Sequence, residues 1–274
     1  MTFPTVENGK SLLWEIPGNG ITQPSYFLGT MHLMCAEDAM LSDNVKIIIR
    51  QTSQIYLEVD MDNAAELLTG FLAMQQDKGK SLDQVLSPAE YDRVQSFFTK
   101  HQPAVPFATL ETQPPLLLSS TIYELMLPCE QKSGVEIKII DEAYRQKKAT
   151  KGLETVAFQA SIFDSIPYEE QARDLLKSID SLEQQRRMMS EMLQIYKQQD
   201  VEKLNEMRMD EDSSIAAHAD LMLYQRNANW AKQFPATASQ KATLFAVGAA
   251  HLGGKKGVLQ LLREQGYVVR AIKN

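Results

Sequence analysis

The pattern of hydrophobic and polar positions predicts strands and a crossover helix at the start of the chain. The apolar runs "SLLWEI" and "YFLGTMH" are typical of strands, and the turn-rich segment "PGNGITQPS" separates them. "LSDNVKIIIRQTS" carries apolar residues at helical spacing, with Ser42 or Asp43 as its N-cap, and "QIYLEVD" is again rich in strand-forming residues. The order strand, helix, strand predicts a parallel crossover.

Helical patterns dominate the next part of the chain. "NAAELLTGFLAMQQ" and "SPAEYDRVQSFFTKH" both have apolar residues at helical spacing. In the second segment Ser87, Pro88 and Glu90 occupy the N-cap, first-turn and capping-box positions. The apolar segment 114–128, "PPLLLSSTIYELMLP", is interrupted by polar residues and predicts a buried helix.

Residues 135–147 fit either a helix or a strand by period. Ile137, Ile140, Ala143 and Tyr144 share one helical face, which favours a helix. The β-branched and small residues of "ATKGLE" then predict a strand.

The segment from about 166 to 210 is polar and rich in glutamine and methionine. Its leucines and methionines recur every three or four residues, which predicts two or three amphipathic helices that form an insert or lid. A methionine-bearing face there either contacts a peptide or belongs to the core, and the core is the more frequent role.

The end of the chain repeats the pattern of its start. One long helix is predicted over "SIAAHADLMLYQRNANWAKQF", followed by the strand "TLFAVGA", the helix "KGVLQLLREQ" and the strand "YVVRAI". We therefore predict an α/β fold with a mixed sheet, strand-helix-strand units at both chain ends and a mostly helical middle insert or lid. A single domain over 1–274 is expected, with the helical middle at roughly 64–130 and 166–235.

Composition narrows the classes of function. Of the 274 residues, 44% are hydrophobic and 23% are charged, as in ordinary globular proteins. The formal charge of −7 would repel a phosphate backbone, and no long basic stripe offsets it, so nucleic acid is not expected as a partner. No apolar run reaches the roughly 18 to 20 residues of a membrane span. The oligomeric state is not indicated.

Neither the N-terminus nor the cysteines fix the location of the protein. "MTFPTVENGKSLLWEI" lacks a basic start followed by an apolar run, so no signal peptide is expected within this chain. A periplasmic or exported location is expected if a signal was removed, and a cytoplasmic one otherwise. Cys35 and Cys129 are either two buried thiols or one disulfide bridge, and the bridge would suit an exported protein.

Two histidines occur in matching places. His32 and His251 each stand three residues after a glycine, Gly29 and Gly248, and each glycine ends a predicted strand. Ligands of open α/β sheets bind beyond the carboxyl ends of the strands, so both rings are expected in one pocket. A single glycine-histidine pair is more often a turn-capping arrangement, and the repetition of the pattern is what favours a functional site. For His101 and His218 a structural role is expected.

Carboxylates follow two of the predicted strands. Glu58 lies near the end of the strand predicted at "QIYLEVD", and Glu154 ends the strand at "GLET". Two imidazoles and one carboxylate with open positions suit a divalent metal ion, which would activate water. His32 and His251 are therefore candidate metal ligands and catalytic residues, and Glu58 and Glu154 are both candidates for the carboxylate.

The motifs together resemble those of the TraB/PrgY/GumN family, which includes the Tiki proteases. The resemblance rests on "YFLGTMH", "YLEVD", "GLET" with Gln159 after it, "YQRNANWA" and "VGAAHLGGKKGVLQLLREQGYVV", and it extends from about residue 12 to 272. It implies a hydrolase-like fold related to the erythromycin esterase and ChaN group. It also implies an active centre of His32, His251 and Glu58.

Further family signatures fall on Glu154, Arg226 and Asn227. The resemblance implies substrate-binding or supporting roles for them, although Arg226 by itself would fit an exposed helix position equally well. One departure is visible, because many relatives have aspartate where this chain has Glu136 after Gly134 and Val135.

Two functions are therefore expected from the sequence. The first is a metal-dependent hydrolase, similar to a metallopeptidase, with a Mn, Co or Zn ion and a peptide or protein substrate. The alternative is a non-catalytic binding protein that sequesters a peptide, a metal or haem.

Overall fold

A mixed sheet of six strands forms the centre of the described part of the chain. The computed structural model describes residues 3–6, 9–75, 80–103, 105–207, 214–239 and 241–274. Its strands are β1 (Leu13–Ile16), β2 (Ser25–Thr30), β3 (Met34–Cys35), β4 (Gln54–Val59), β5 (Lys132–Ser133), β6 (Thr150–Glu154), β7 (Thr243–Gly248) and β8 (Arg270–Ile272). The strand order in the large sheet is β6-β4-β7-β2-β1-β8, and β3 pairs with β5 separately.

Helices connect the strands and fill the middle of the chain. They are α1 (Asp43–Gln51), α2 (Ala64–Gln75), α3 (Leu82–Val85), α4 (Pro88–His101), α5 (Phe107–Leu110), α6 (Pro115–Met126), α7 (Val135–Arg145), α8 (Val156–Asp164), α9 (Tyr168–Asp180), α10 (Leu182–Lys197), α11 (Val201–Glu206), α12 (Ser214–Ala217), α13 (Gln225–Ala238) and α14 (Val258–Glu264). The predicted mixed α/β fold with a helical middle is confirmed.

The predicted parallel crossover at the start of the chain is present, with one addition. α1 begins after Ser42, whose hydroxyl accepts a hydrogen bond from the N–H of Val45. β2 and β4 run in the same direction, but β7 from the far end of the chain lies between them and pairs with both in parallel. β1 is antiparallel to both of its neighbours, β2 and β8. The two chain ends therefore build one sheet together.

Buried side chains form two clusters. The larger one surrounds the sheet, where the rings of Phe27, Phe234 and Phe245 lie within 5.9 Å of one another. The smaller one lies among α3, α4, α5, α6 and α9, and it includes Phe98 and Leu175. No helix among the described residues is both long and apolar enough to cross a bilayer.

Several helix predictions are confirmed in detail. The capping box of α4 is present, with Ser87 and Glu90 bonded reciprocally. The segment 166–210 contains three helices, α9, α10 and α11, within its described residues. The predicted buried helix over 114–128 is α6, which packs into the smaller cluster.

The helix predicted over residues 135–147 is confirmed as α7, and its buried row differs from the apolar row that indicated a helix. Tyr144 is 81% exposed and Ile137 is 41% exposed, whereas Val135, Ile139 and Ala143 are buried. The buried row is spaced by four residues, so its members share one side of the helix, and all three belong to the larger cluster. The apolar period was correct for a helix, but it did not distinguish which of two apolar rows faces the core.

The long helix predicted before β7 is interrupted. Its described residues form α12, a π-helical turn over Asp220–Tyr224 and then α13. The helix also continues past Phe234 and through Pro235. The wider π-helical turn ends two residues before Arg226, and such turns are frequent at functional sites.

Cys35 and Cys129 form a disulfide, with their Cα atoms 5.8 Å apart. This decides between the two alternatives that the sequence left open. The bridge joins the end of β3 to the segment between α6 and β5, close to where the two small strands pair.

Candidate functional site

Four neighbouring parallel strands bring four of the predicted residues to one edge of the sheet. Glu154 ends β6, Glu58 is the penultimate residue of β4, His251 follows β7 and His32 follows β2. The strands lie in the order β6, β4, β7, β2, and their carboxyl ends face the same way. The residues therefore meet at the crevice where open α/β sheets bind ligands.

Glu58 lies at the centre of this group. Its Oε1 accepts the N–H of Gly248 at 2.8 Å and lies 3.9 Å from His32 Nε2 and 3.8 Å from His251 Nε2. Its Oε2 accepts from Arg226 Nη2 at 2.6 Å. Burial alone would raise the pKa of Glu58, but the charges of Arg226 and His32 and the Gly248 N–H, with His251 adding to them when it is protonated, lower it to about 2. Glu58 is therefore an ionised carboxylate that its neighbours hold in one orientation.

Arg226 connects the two glutamates. It is only 8% exposed, and its Nε donates to Glu154 Oε2 at 2.9 Å while Nη2 donates to Glu58. Its Nη1 donates to the carbonyl of Met222 at 3.0 Å and lies 3.3 Å from His251 Nε2. The sequence also allowed an exposed helix position for Arg226, but the structure buries it. Its guanidinium N–H groups point at Glu58, Glu154 and His251.

Glu154 and Gln159 complete the acidic side of the site. The amide of Gln159 lies 3.3 Å from one oxygen of Glu58 and 3.3 Å from one oxygen of Glu154. Burial raises the pKa of Glu154, and the nearby Glu58 adds to the rise, although Arg226 and Gln159 oppose it. The two carboxylates thus differ in acidity while sharing two hydrogen-bonding partners.

Asn227 fixes the orientation of His251. Asn227 Nδ2 donates to the carbonyl of Lys256 at 2.9 Å, so its Oδ1 is the atom that faces His251 Nδ1, at 2.6 Å. Nδ1 must then carry the proton, and the lone pair of Nε2 points toward Glu58 and Arg226. His251 is 4% exposed, and burial, with help from Arg226 and His32 and against the effect of Glu58, lowers its pKa to about 4.

His32 has the opposite environment. Its side chain is 66% exposed, and its Nδ1 lies 2.7 Å from Glu136 Oε1. Burial by surrounding atoms would lower the pKa of His32, but Glu136 and Glu58 raise it to about 9. Because water reaches much of this ring, solvent screens part of these effects. The two matching motifs therefore supply one fixed, neutral imidazole and one accessible imidazole paired with a carboxylate.

The side chains present suit a divalent metal in kind. Two imidazole nitrogens and one carboxylate are ligands that such ions take. Gly248 leaves space between them, since a Cβ there would lie 3.2 Å from Glu58 Oε1 and 3.6 Å from His32 Nε2. Ligands bonded at about 2.1 Å lie roughly 3.0–3.4 Å apart, so the exposed ring of His32 would move inward slightly. Within the described ranges no three His, Cys, Asp or Glu side chains already meet at metal spacing.

The structure brings all six predicted residues into one connected group: His32, Glu58, Glu154, Arg226, Asn227 and His251. Sequence reasoning gave no role to Gln159 and none to Trp230, whose ring packs against His251 at 4.5 Å and against Arg226 at 4.9 Å. Gln159 was part of a motif that carries the family resemblance, and it lies one turn into the helix that follows Glu154. His101 lies away from this group and packs on Phe97.

The fold and this site together define a class of protein. It is a mixed α/β protein with two histidines, two glutamates and an arginine at the carboxyl edge of its parallel strands, and His32 is the exposed member of this group. The model of the TraB/PrgY/gumN family matches residues 12–271, which is nearly the whole chain, and the chain therefore belongs to that family. Comparison with curated proteins and with solved structures finds no match.

Proposed function

We propose that the protein is a metal-dependent hydrolase of the metallopeptidase kind. The observation that supports this proposal most is the convergence of His32, His251 and Glu58 around the space beside Gly248. Mn, Co or Zn held by those three side chains would supply polarisation of a peptide carbonyl and activation of water. The substrate is proposed to be a peptide or a protein.

The remaining residues of the site prepare these three groups. Arg226 and the N–H of Gly248 hold Glu58 so that its Oε1 faces both histidines. Asn227 keeps the lone pair of His251 Nε2 directed at the same point. Because both side chains contact the site's own residues, we propose positioning roles for Arg226 and Asn227 rather than direct contact with substrate.

Glu154 is the proposed proton carrier. Its pKa is raised by burial, and a carboxyl group with a raised pKa accepts and returns a proton more readily near neutral pH. Arg226 at 2.9 Å stabilises the anion each time the proton leaves. The disulfide supports a location in an oxidising compartment such as the periplasm.

The test combines metal analysis with a cleavage assay. The purified protein is equilibrated with Mn, Co and Zn, and its metal content is measured beside a His32→Ala/His251→Ala double variant and a His101→Ala control. Each is then incubated with a peptide library, and products are identified by mass spectrometry. We expect about one metal ion per chain and cleavage in the parent and the control, and neither in the double variant.

Other outcomes would redirect the proposal. Metal binding without any cleavage, together with retention of peptides, would favour the sequestering protein instead. Equal metal content in the parent and the double variant would remove the two histidines from the metal site.

A further inference from the structure

Two segments that are far apart in sequence form a clip beside His32. We use "the β3–β5 clip" for residues 31–36 and 129–136. Met34 pairs with Ser133 and Cys35 with Lys132 in antiparallel fashion. The N–H of Val135 donates to the carbonyl of Met31 at 3.0 Å, and the N–H of Ala36 donates to the carbonyl of Gln131 at 2.9 Å. The disulfide closes the same clip.

The clip brings the start of α7 against the His32 backbone. Gly134 is the N-cap of α7, and a Cβ at this position would lie 2.5 Å from the carbonyl oxygen of His32. No side chain fits that distance, so glycine permits the approach. Glu136 follows two residues later, in the first turn of the helix.

Glu136 is a buried residue that contacts the exposed ring of His32. It is 5% exposed, and its Oε1 lies 2.7 Å from His32 Nδ1. No hydrogen-bond donor is aligned with Oε1 among the described residues, so the approach of the His32 ring is the polar contact that the structure gives this oxygen. A buried carboxylate is costly without a polar partner, and the His32 ring is the group that lies against it.

We propose that Glu136 is the positioning residue of His32. With Nδ1 held by the carboxylate, the opposite ring nitrogen, Nε2, is directed toward Glu58. A carboxylate behind a ligating histidine is a general way to fix the ring and to raise its strength as a ligand. The inference rests on the proposed function in one respect, namely that His32 belongs to the reacting centre.

The length of the side chain matters for this role. The start of α7 is fixed by the clip, so an aspartate at position 136 would withdraw its carboxylate by about one carbon–carbon bond. We therefore attribute the contact with His32 to the longer side chain of glutamate at position 136. Glutamine would keep the reach and an accepting oxygen but lose the charge.

The experiment compares Glu136→Gln, Glu136→Asp and Glu136→Leu with the parent. Glu142→Leu is the matched control, because Glu142 lies on the same helix and its carboxylate pairs with Arg145 and Gln146. Histidine ring resonances are recorded in the metal-free protein by NMR, where four histidines give a simple spectrum. Co²⁺ dissociation constants are then measured from the optical spectrum of the bound ion.

We expect the His32 ring resonances to shift in Glu136→Leu and Glu136→Asp, to shift less in Glu136→Gln, and to stay unchanged in Glu142→Leu. The Co²⁺ dissociation constant should rise about 10- to 100-fold in Glu136→Leu, with glutamine restoring part of the affinity. His32 resonances and Co²⁺ affinity that stay equal to the parent in Glu136→Leu would overturn the inference. If that variant does not fold, identical His32 resonances in the parent, Glu136→Gln and Glu136→Asp would overturn it.

The NMR comparison separates this inference from the proposed function. If the parent binds no Co²⁺ at all, the proposed metal-dependent activity fails, but the His32 resonances still report whether Glu136 positions the ring.

Discussion

The two glycines that precede the histidines have different steric roles. Neither has a positive φ, so neither is needed for a left-handed turn. A Cβ on Gly29 would lie 3.0 Å from Leu252 Cδ1 and 3.1 Å from Ala249 Cβ, inside the packed core. A Cβ on Gly248 would instead enter the space between Glu58 and the two histidines. One glycine serves packing and the other keeps the site open.

Gly248→Ala is expected to impair the site while leaving the fold intact. The backbone angles of Gly248, φ −49° and ψ 133°, suit alanine, and the lower entropy of the unfolded chain contributes about 0.4–1 kcal/mol that offsets the tight contact. The new methyl group crowds Glu58 Oε1 at 3.2 Å and fills part of the space beside it, so Co²⁺ affinity and peptide cleavage should each fall at least about tenfold, or about 1.4 kcal/mol. Urea unfolding and Co²⁺ titration of the same preparation measure both quantities.

Gly29→Ala is the control for this experiment. Its methyl group meets Leu252 and Ala249, so overpacking should lower the free energy of unfolding by about 1–3 kcal/mol. The two alanine variants therefore separate stability from site access. Unchanged Co²⁺ affinity in Gly248→Ala would show that the ion, if bound, does not use this space.

The raised pKa of His32 predicts that the protein loses stability as the pH rises. Its pKa is raised from 6.5 to about 9 in the folded protein, so the ion pair with Glu136 contributes fully below pH 6.5 and is lost as pH rises through 9. In metal-free protein, the parent should therefore lose its stability advantage over His32→Asn between these values. Urea unfolding of both proteins at several pH values measures the difference. A difference that does not change across this range would contradict the assignment.

At the scale of the element, α13 supplies two residues of the site, Arg226 and Asn227. Its buried row includes Asn227, Trp230, Ala231 and Phe234, and the ring of Phe234 packs against both Phe27 and Phe245 on the sheet. This anchoring places the first turn of the helix, with Arg226 and Asn227, over the carboxyl edge of β4 and β7. The π-helical turn before it leaves the Met222 carbonyl facing Arg226.

Pro235 inside α13 removes one helical hydrogen bond, and a residue outside the helix replaces it. Proline has no N–H, so the carbonyl of Ala231, four residues earlier, lacks its helical donor. Gln265 Nε2, just beyond α14, donates to that carbonyl at 3.2 Å. Gln265→Leu should therefore lower the free energy of unfolding by about 1 kcal/mol, and the loss should shrink in a Pro235→Ala background, where residue 235 regains its N–H. Urea unfolding of the four proteins measures this coupling, and an equal loss in both backgrounds would rule it out.

Local patterns were sufficient to predict most elements but not their assembly. The cap of α4, the strand at Thr150–Glu154 and the histidines beyond two strand ends all follow from short stretches of sequence. The insertion of β7 between β2 and β4 depends on pairing across most of the chain, which no local period encodes. The contact of Glu136 with His32 was missed for the same reason, because the β3–β5 clip that produces it joins distant segments.

For the whole molecule, α10 and the disulfide connect the two clusters of buried side chains. Leu182 at the start of α10 packs against the smaller cluster, while Ile195 and Tyr196 near its end belong to the larger one. The Cys35–Cys129 bridge ties the end of α6 to the clip beside His32. These links are the physical reason to expect that the chain folds as a single domain, as the sequence predicts.

Unfolding followed by two probes tests that expectation. Both tryptophans, Trp14 and Trp230, lie in the larger cluster, so their fluorescence reports that cluster, while far-ultraviolet circular dichroism reports all helices. In a single cooperative unit the two urea transitions coincide. Leu175→Ala in the smaller cluster should cost about 2–5 kcal/mol and shift both transitions equally, as should Ile55→Ala beside the sheet. A Leu175→Ala protein whose circular dichroism falls at lower urea while its tryptophan fluorescence stays at the parental midpoint would instead show that the helical middle unfolds as a separate domain.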